Sequence, residues 1–80
     1  MNETGLAHKR LSALRHTFPA FDIARGRDET GQEWWIARLR REATERMQAA
    51  GVIAVVQRRD YASLASSLAC QAAILHHFRA

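Results

Sequence analysis

The longest uncharged part of the chain lies at its C-terminus, where residues 61–78 contain no Asp, Glu, Lys or Arg. Asp60 precedes this segment and predicts an N-cap, because its carboxylate can accept a hydrogen bond from the free N–H of Ser63. Apolar residues then recur at helical spacing and form one stripe, which comprises Tyr61, Leu64, Ala65, Leu68, Ala72 and Leu75. The pattern predicts a long C-terminal helix with this stripe against the rest of the chain.

The other side of this helix is uncharged as well. It carries small or weakly polar residues, namely Ser63, Ser66, Ser67, Cys70, Ala73, Ile74 and His77. A helix with so little charge is usually covered on more than one side. Either another part of the same chain covers it, or a second copy packs on it closely. A membrane span is disfavoured, because 18 residues barely cross a bilayer and the segment includes Gln71, His76 and His77.

Residues 4–17 predict a first helix, with an apolar side made of Leu6, Ala7, Leu11, Leu14 and Phe18. Pro19 ends this helix, because proline disfavours helical angles at the residue before it. Residues 20–25 then predict a strand in which Phe21 and Ile23 share one face. Residues 26–32 are polar with a glycine near each end, which predicts a hairpin loop.

Residues 33–40 predict the return strand of the hairpin. One face would carry Trp35, Ala37 and Leu39, and the other Trp34, Ile36, Arg38 and Arg40. A helical period also fits, so one long helix over residues 33–50 stays open. A strand is favoured because Trp-Trp-Ile is typical of strands and directly follows the turn. A short helix then fits residues 45–50, between Thr44 as N-cap and Gly51 just beyond its C-terminus.

Residues 52–58 are apolar on both faces up to Gln57, which predicts a strand that is central or covered on both sides. The whole order is helix, strand, strand, short helix, strand, helix. It predicts a single small α+β domain over residues 1–80, with a three-stranded antiparallel sheet and both long helices on one face. The other face would show parts of Trp34, Ile36, Ile53 and Val55, and such a patch usually marks an interface.

Several of these segments occur together in a known group of proteins. They are Phe18-Pro19, the FDIAR strand at residues 21–25, Trp34-Trp35, Ala50-Gly51-Val52, and the pair Leu64 and Leu68. Over about residues 11–75 the chain resembles short actinobacterial proteins that are catalogued as hypothetical. Members are often encoded near helix-turn-helix regulators, so the resemblance implies a regulatory setting and no particular activity.

The predicted order of elements also resembles that of double-stranded RNA-binding domains, which contact RNA through its shape and phosphates. Those domains carry a lysine cluster at the start of their last helix. Here Arg58 and Arg59 are followed by Asp60, Tyr61 and an uncharged segment. The basic cluster is missing, which disfavours this function.

The short length and the single cysteine limit the classes of function. A chain of 80 residues buries only about 60% of its unfolded surface, so self-association is the expected source of additional stability. Cys70 lies in an apolar helix, which predicts a packed thiol and no nucleophile, and the histidines lack zinc-ligand spacing. We expect no enzyme activity, no cofactor and no metal. The N-terminus lacks the apolar core of a signal peptide, which predicts a cytoplasmic location.

The net charge of +4 comes mainly from arginine, which supplies 11 of the 12 basic residues. Five arginines lie on or next to predicted strands: Arg25, Arg38, Arg40, Arg58 and Arg59. Near Trp34 they would form a basic rim of the kind that binds nucleic acid. Charges on edge strands also serve to prevent aggregation between sheets.

The first hypothesis is therefore a non-enzymatic accessory or regulatory module that forms a homodimer or binds a partner protein. The expected interface comprises Trp34, Ile36, Ile53, Val55, Ser66, Cys70, Ala73, Ile74 and His77. The alternative is a module that binds nucleic acid through the five arginines. A small-molecule site between the tryptophans and the last helix stays open, and no membrane partner is expected.

Overall fold

The predicted α+β order is confirmed by the computed structural model, which describes residues 3–78. The elements in chain order are α1 (Glu3–Thr17), β1 (Phe21–Arg27), β2 (Glu33–Leu39), α2 (Glu45–Ala49), β3 (Val55–Arg58) and α3 (Tyr61–His76). The strands form one antiparallel sheet in the order β1-β2-β3. One long helix over residues 33–50 is wrong, because the first seven of these residues are the central strand, which is paired on both edges.

The hairpin between β1 and β2 is longer than predicted. Gly26 and Arg27 were expected in the loop, but they belong to β1 and pair with Trp34 and Glu33. The turn is confined to residues 28–32, where one carboxylate oxygen of Asp28 accepts hydrogen bonds from two backbone N–H groups. Gly26 does not form a turn. A glycine is required there because the Trp34 ring lies over it, and an added Cβ atom would lie 2.5 Å from Cζ2 of that ring.

Substitution of Gly26 by valine is expected to displace the Trp34 ring from the sheet. The added side chain occupies the space of the ring, while improved strand propensity offsets part of the cost, about 0.5–1 kcal/mol. Acrylamide quenching of tryptophan fluorescence should increase, because buried Trp35 contributes little to it. Ala24→Val, one pair along the same face, is the control. Equal quenching in the two variants would contradict this packing.

The third strand differs most from its prediction. It begins at Val55 instead of residue 52, and it lies at an edge of the sheet instead of in the centre. The preceding backbone groups bond elsewhere: Val52 N–H donates to the carbonyl of Met47, and Ile53 N–H donates to Oε1 of Gln71 at 2.8 Å. The apolar run therefore serves two environments, with Val52 and Val56 buried and Ile53 and Val55 exposed.

The core lies between one face of the sheet and the two long helices, as predicted. Its buried members are Leu14, Phe21, Ile23, Trp35, Ala37, Val56, Leu64 and Leu68. Two details of the predicted helix faces are wrong. Leu6 of α1 is exposed, and in α3 Ala72 is exposed while Gln71 is buried. Gln71 faces inward because its amide bonds the backbone that leads into β3.

The predicted caps of α2 and the predicted N-cap of α3 are confirmed, while α2 ends at Ala49 and α3 at His76, slightly before the predicted residues 50 and 78. Oγ1 of Thr44 accepts a hydrogen bond from Met47 N–H at 3.1 Å, and Gly51 follows α2 with φ +102°. Oδ1 of Asp60 accepts one from Ser63 N–H at 2.7 Å. Hydrogen bonds from Ser63 hold the pKa of the Asp60 carboxyl below its usual range. The bond from the backbone N–H has the larger effect and the bond from the hydroxyl the smaller one.

The lowered pKa of Asp60 predicts a dependence of stability on pH. A carboxyl whose pKa is lower when folded contributes stability that is present above its unfolded pKa of about 3.9 and is lost as the pH falls through the folded pKa. Asp60→Ala should therefore lower the urea midpoint at pH 7 and have less effect near pH 2. Asp22→Ala, at an exposed position of β1, is the control. An Asp60 effect of the same size at both pH values would contradict the charged cap.

Candidate interaction surface

The face of the sheet opposite the helices is only partly apolar. Its side chains form three cross-strand rows: Asp22, Arg38 and Val55; Ala24, Ile36 and Gln57; Gly26 and Trp34. Trp34 and Ile36 are half-buried, while Val55 is 47% exposed. Ile53 precedes the strand and is 48% exposed. The most exposed apolar side chains of this face therefore lie at the β3 side of the sheet instead of in its centre.

The outer edge of β3 presents backbone groups that are not bonded to β2. Leu39 N–H donates to the carbonyl of Ala54 at 2.8 Å, so these two residues form a hydrogen-bonded pair. In an antiparallel ladder such pairs alternate with non-bonded ones. Val55 and Gln57, which oppose Arg38 and Ile36, consequently point their N–H and C=O groups away from β2. The Gln57 carbonyl accepts one bond there, from the exposed guanidinium of Arg58.

The other edge of the sheet is partly closed by the chain itself. By the same alternation, Phe21, Ile23 and Arg25 direct their backbone groups away from β2. Phe21 N–H donates to the carbonyl of Phe18, and the Ile23 carbonyl accepts a hydrogen bond from Nε of Arg15 in α1. The two edges are thus unequal, because hydrogen bonds from neighbouring segments cover the start of β1, whereas, among the residues that the structure describes, the outward groups of β3 bond only the Arg58 side chain.

One side of α3 lies next to the outer edge of β3, which we call the open edge. Gln71 bonds Ile53, and Cδ1 of Ile74 is near Gly51, where an added Cβ atom would lie 3.4 Å away. Helical spacing places four residues on this side, namely Ser63, Ser67, Cys70 and Ile74. Together with Ile53 and Val55 we call them the β3 flank. The Cys70 thiol is exposed, so the described part of the chain does not cover this side of α3, because the sheet packs on a different side of the helix.

The predicted interface residues are therefore only partly brought together. Ile53, Val55, Cys70 and Ile74 lie on the β3 flank. Trp34, Ile36 and Val55 share the open face of the sheet, as predicted, and Val55 also borders the outer edge of β3. Ser66 and Ala73 are exposed on the outward side of α3, and His77 is its exposed C-cap.

The five predicted arginines do not form one rim. Arg25 bonds Glu33 at 2.9 Å, and its guanidinium lies 5.7 Å from the ring centre of Trp35. Arg25 and Arg58 oppose Trp35 on the side of the sheet that faces the helices, whereas Arg38 lies on the open face. Nη1 of Arg59 donates to Gln32, and Nε of Arg40 donates to the carbonyl of Phe21.

The space between the tryptophans and the last helix is filled. The Trp35 and Tyr61 rings meet edge to face at 5.9 Å, and Arg10 lies 5.1 Å from the centre of the Tyr61 ring. A separate apolar groove of 410 Å³ is found toward the end of α3. Its lining includes Phe18, Phe21, Leu39, Leu75, Arg41 and His76. The sequence signal for it is the Phe18-Pro19 junction, which predicts a helix end and no groove.

Other chemistry can be described for residues 3–78. In this range, His, Cys, Asp and Glu side chains nowhere gather in groups of three that could hold a metal ion. None of the helices described is both long enough and apolar enough to cross a membrane. Comparisons of the chain with protein-family models, with curated proteins and with solved structures each find no match.

Proposed function

We propose that this domain is a non-enzymatic protein-interaction module that self-associates. The observation that carries the proposal is the β3 flank, where two half-exposed apolar side chains, Ile53 and Val55, adjoin an open strand edge. The adjoining helix has no acidic or basic residue from Tyr61 to Leu75. Water contact at such a surface is unfavourable, and burial against another protein surface removes it.

Apolar burial alone does not account for a stable complex. Full burial of a Val or Ile side chain contributes about 1.5–3 kcal/mol. Four half-exposed side chains from two copies would then contribute about 3–6 kcal/mol. Association itself costs about 4–15 kcal/mol. A stable pair of molecules therefore requires further contacts, such as backbone hydrogen bonds or helix packing, and both lie on the same flank.

The experiment that tests self-association is sedimentation equilibrium of the full chain over a range of concentrations. We expect the mass at high micromolar concentration to approach twice the chain's 9.1 kDa. A mass of one chain throughout that range would overturn the proposal. An accessory or regulatory role in the cytoplasm is part of the same proposal. The regulatory role rests on the resemblance to the actinobacterial group, and the location rests on the N-terminus, which lacks the apolar core of a signal peptide.

Nucleic-acid binding is the competing proposal, and the exposed Arg38 and Arg58 support it. Its weakness is that the arginines are distributed over two faces of the sheet. Arg38→Glu/Arg40→Glu distinguishes the two functions. Under self-association this variant keeps the wild-type mass. If instead the wild-type chain binds DNA or RNA with steep salt dependence and the variant does not, the competing function is favoured.

A further inference from the structure

We propose that two copies of this chain join edge to edge through β3, which makes a continuous six-stranded sheet and sets their α3 helices side by side. The inference rests on the proposed self-association and specifies its surface. The open edge of β3 and the uncharged side of α3 adjoin each other, so one partner can cover both. A second copy is the partner that offers the same two features in return.

The outward backbone groups define the register of this pairing. An antiparallel pair of β3 strands with its two-fold axis at Val56 places Val55 of each copy opposite Gln57 of the other. Both residues direct their N–H and C=O groups outward, so each facing pair exchanges two hydrogen bonds. Symmetry repeats the pair and gives four. The Gln57 carbonyl takes part despite its bond from Arg58, because a carbonyl oxygen has two lone pairs.

Charge and existing hydrogen bonds favour this register over its neighbours. With the axis at Val56, Arg58 faces Ala54 of the second copy and Arg59 faces Ile53, so like charges are kept apart. A shift toward the C-terminus brings the arginines of the two copies closer together. A shift toward the N-terminus requires the Ile53 N–H, which Gln71 already binds. If the register between the two β3 strands shifts by one residue, the outward N–H and C=O groups of one copy face residues of the other copy whose backbone groups are already bonded to β2.

The helices are compatible with this arrangement. Paired strands lie about 4.8 Å apart, and helices that cover adjacent parts of one sheet pack at about 8–10 Å. The two α3 helices would run antiparallel and meet through Ser63, Ser67, Cys70 and Ile74. Three of these four side chains are small and none is charged. Contact between these two helix faces therefore requires no desolvation of charge, whereas the Arg58 guanidinium at the Gln57 carbonyl must remain at the solvent-exposed border of the paired strands.

Proline at Val55 tests the strand pairing directly. Val55→Pro removes the outward N–H and leaves the bonds between β2 and β3 intact, at an edge position that tolerates proline. Two of the four intermolecular bonds are lost, and we expect the dissociation constant to rise by at least about tenfold. Val55→Thr, which keeps the N–H and the side-chain shape, should dimerise like the wild type. Circular dichroism and the urea midpoint verify the fold of both variants.

The outcomes separate this inference from the proposed function. If the wild type dimerises and folded Val55→Pro dimerises equally well, the pairing through β3 is wrong while self-association holds. If the wild type is a monomer, both are wrong. Weakened association of Val55→Pro alone supports the inference.

If the proline variant fails to fold, a cysteine crosslink tests whether the α3 helices of two copies lie side by side. In a Cys70→Ser background, Ser67→Cys should be crosslinked between copies by a short bismaleimide, because position 67 lies near the proposed axis. Ser66→Cys is the matched control, since its side chain points outward on the same helix. Efficient crosslinking at 66, or equal crosslinking at both positions, would overturn the proposed packing.

Discussion

Leu68→Ala is expected to remove a large part of the free energy of unfolding of this domain. Leu68 is fully buried between α3 and the sheet. Removal of a buried leucine side chain to alanine costs about 2–5 kcal/mol, because both apolar transfer energy and packing are lost. A small domain has a total stability near the lower end of about 5–15 kcal/mol. Urea unfolding followed by circular dichroism measures the loss.

Leu6→Ala is the matched control for this core substitution. Leu6 is 39% exposed on α1, so the same chemical change should cost less than about 1 kcal/mol. Both variants must be compared at one protein concentration, because self-association couples stability to concentration. Equal losses for the two leucines would mean that α3 does not pack on the sheet as described.

The second large effect is expected for Gln71→Leu. The Gln71 side chain is buried, its Oε1 accepts the Ile53 N–H, and its Nε2 donates to the Gly51 carbonyl at 3.1 Å. Leucine has a similar size but leaves two backbone groups without partners, each at a cost of about 1–3 kcal/mol. We therefore expect a loss of about 2–6 kcal/mol. Faster amide exchange at Ile53 should accompany the loss.

Gln57→Leu is the control for the glutamine substitution. Gln57 is exposed on the open face of the sheet, so its replacement should change the free energy of unfolding by no more than about 0.5 kcal/mol. Wild-type stability of Gln71→Leu would show that this amide does not hold β3 to α3. The test is that Gln71→Leu loses more free energy of unfolding than Gln57→Leu, whatever the absolute size of either loss.

Local patterns in the sequence predicted the elements of this fold well. Alternation at Phe21 and Ile23 and at Trp35 and Ala37 identified the buried face of the hairpin, because strand side chains alternate by geometry. The Asp60 cap was predictable for the same reason, since its hydrogen bond is local.

Features that depend on distant residues were not predictable. The apolar run at 52–58 predicts a central strand, but this segment forms an edge strand. Hydrophobicity shows that residues are buried and does not show which other segment buries them. Gln71 stands between two apolar stripe positions, and its inward orientation depends on backbone groups at Gly51 and Ile53. Gly26 was read as a turn residue, whereas it accommodates the Trp34 ring.

The candidate site was predicted in part for the same reason. Ile53, Val55, Cys70 and Ile74 were selected because they are apolar or uncharged, and the fold places them on one flank. The open edge itself has no signal in side-chain pattern, because it consists of backbone groups. It follows only from the alternation of bonds between β2 and β3, and from the contrast with the β1 edge, where Arg15 bonds the Ile23 carbonyl.

The central claim is that a second copy covers the outer edge of β3, and amide hydrogen exchange tests it most directly. The N–H groups of Val55 and Gln57 should exchange at least about tenfold more slowly at high than at low micromolar concentration, because pairing protects them. Arg25, whose N–H points away from β2 on the other edge, should exchange at a constant rate. Rates for Val55 and Gln57 that stay the same across this range, or protection that appears at Arg25 instead, would contradict the claim.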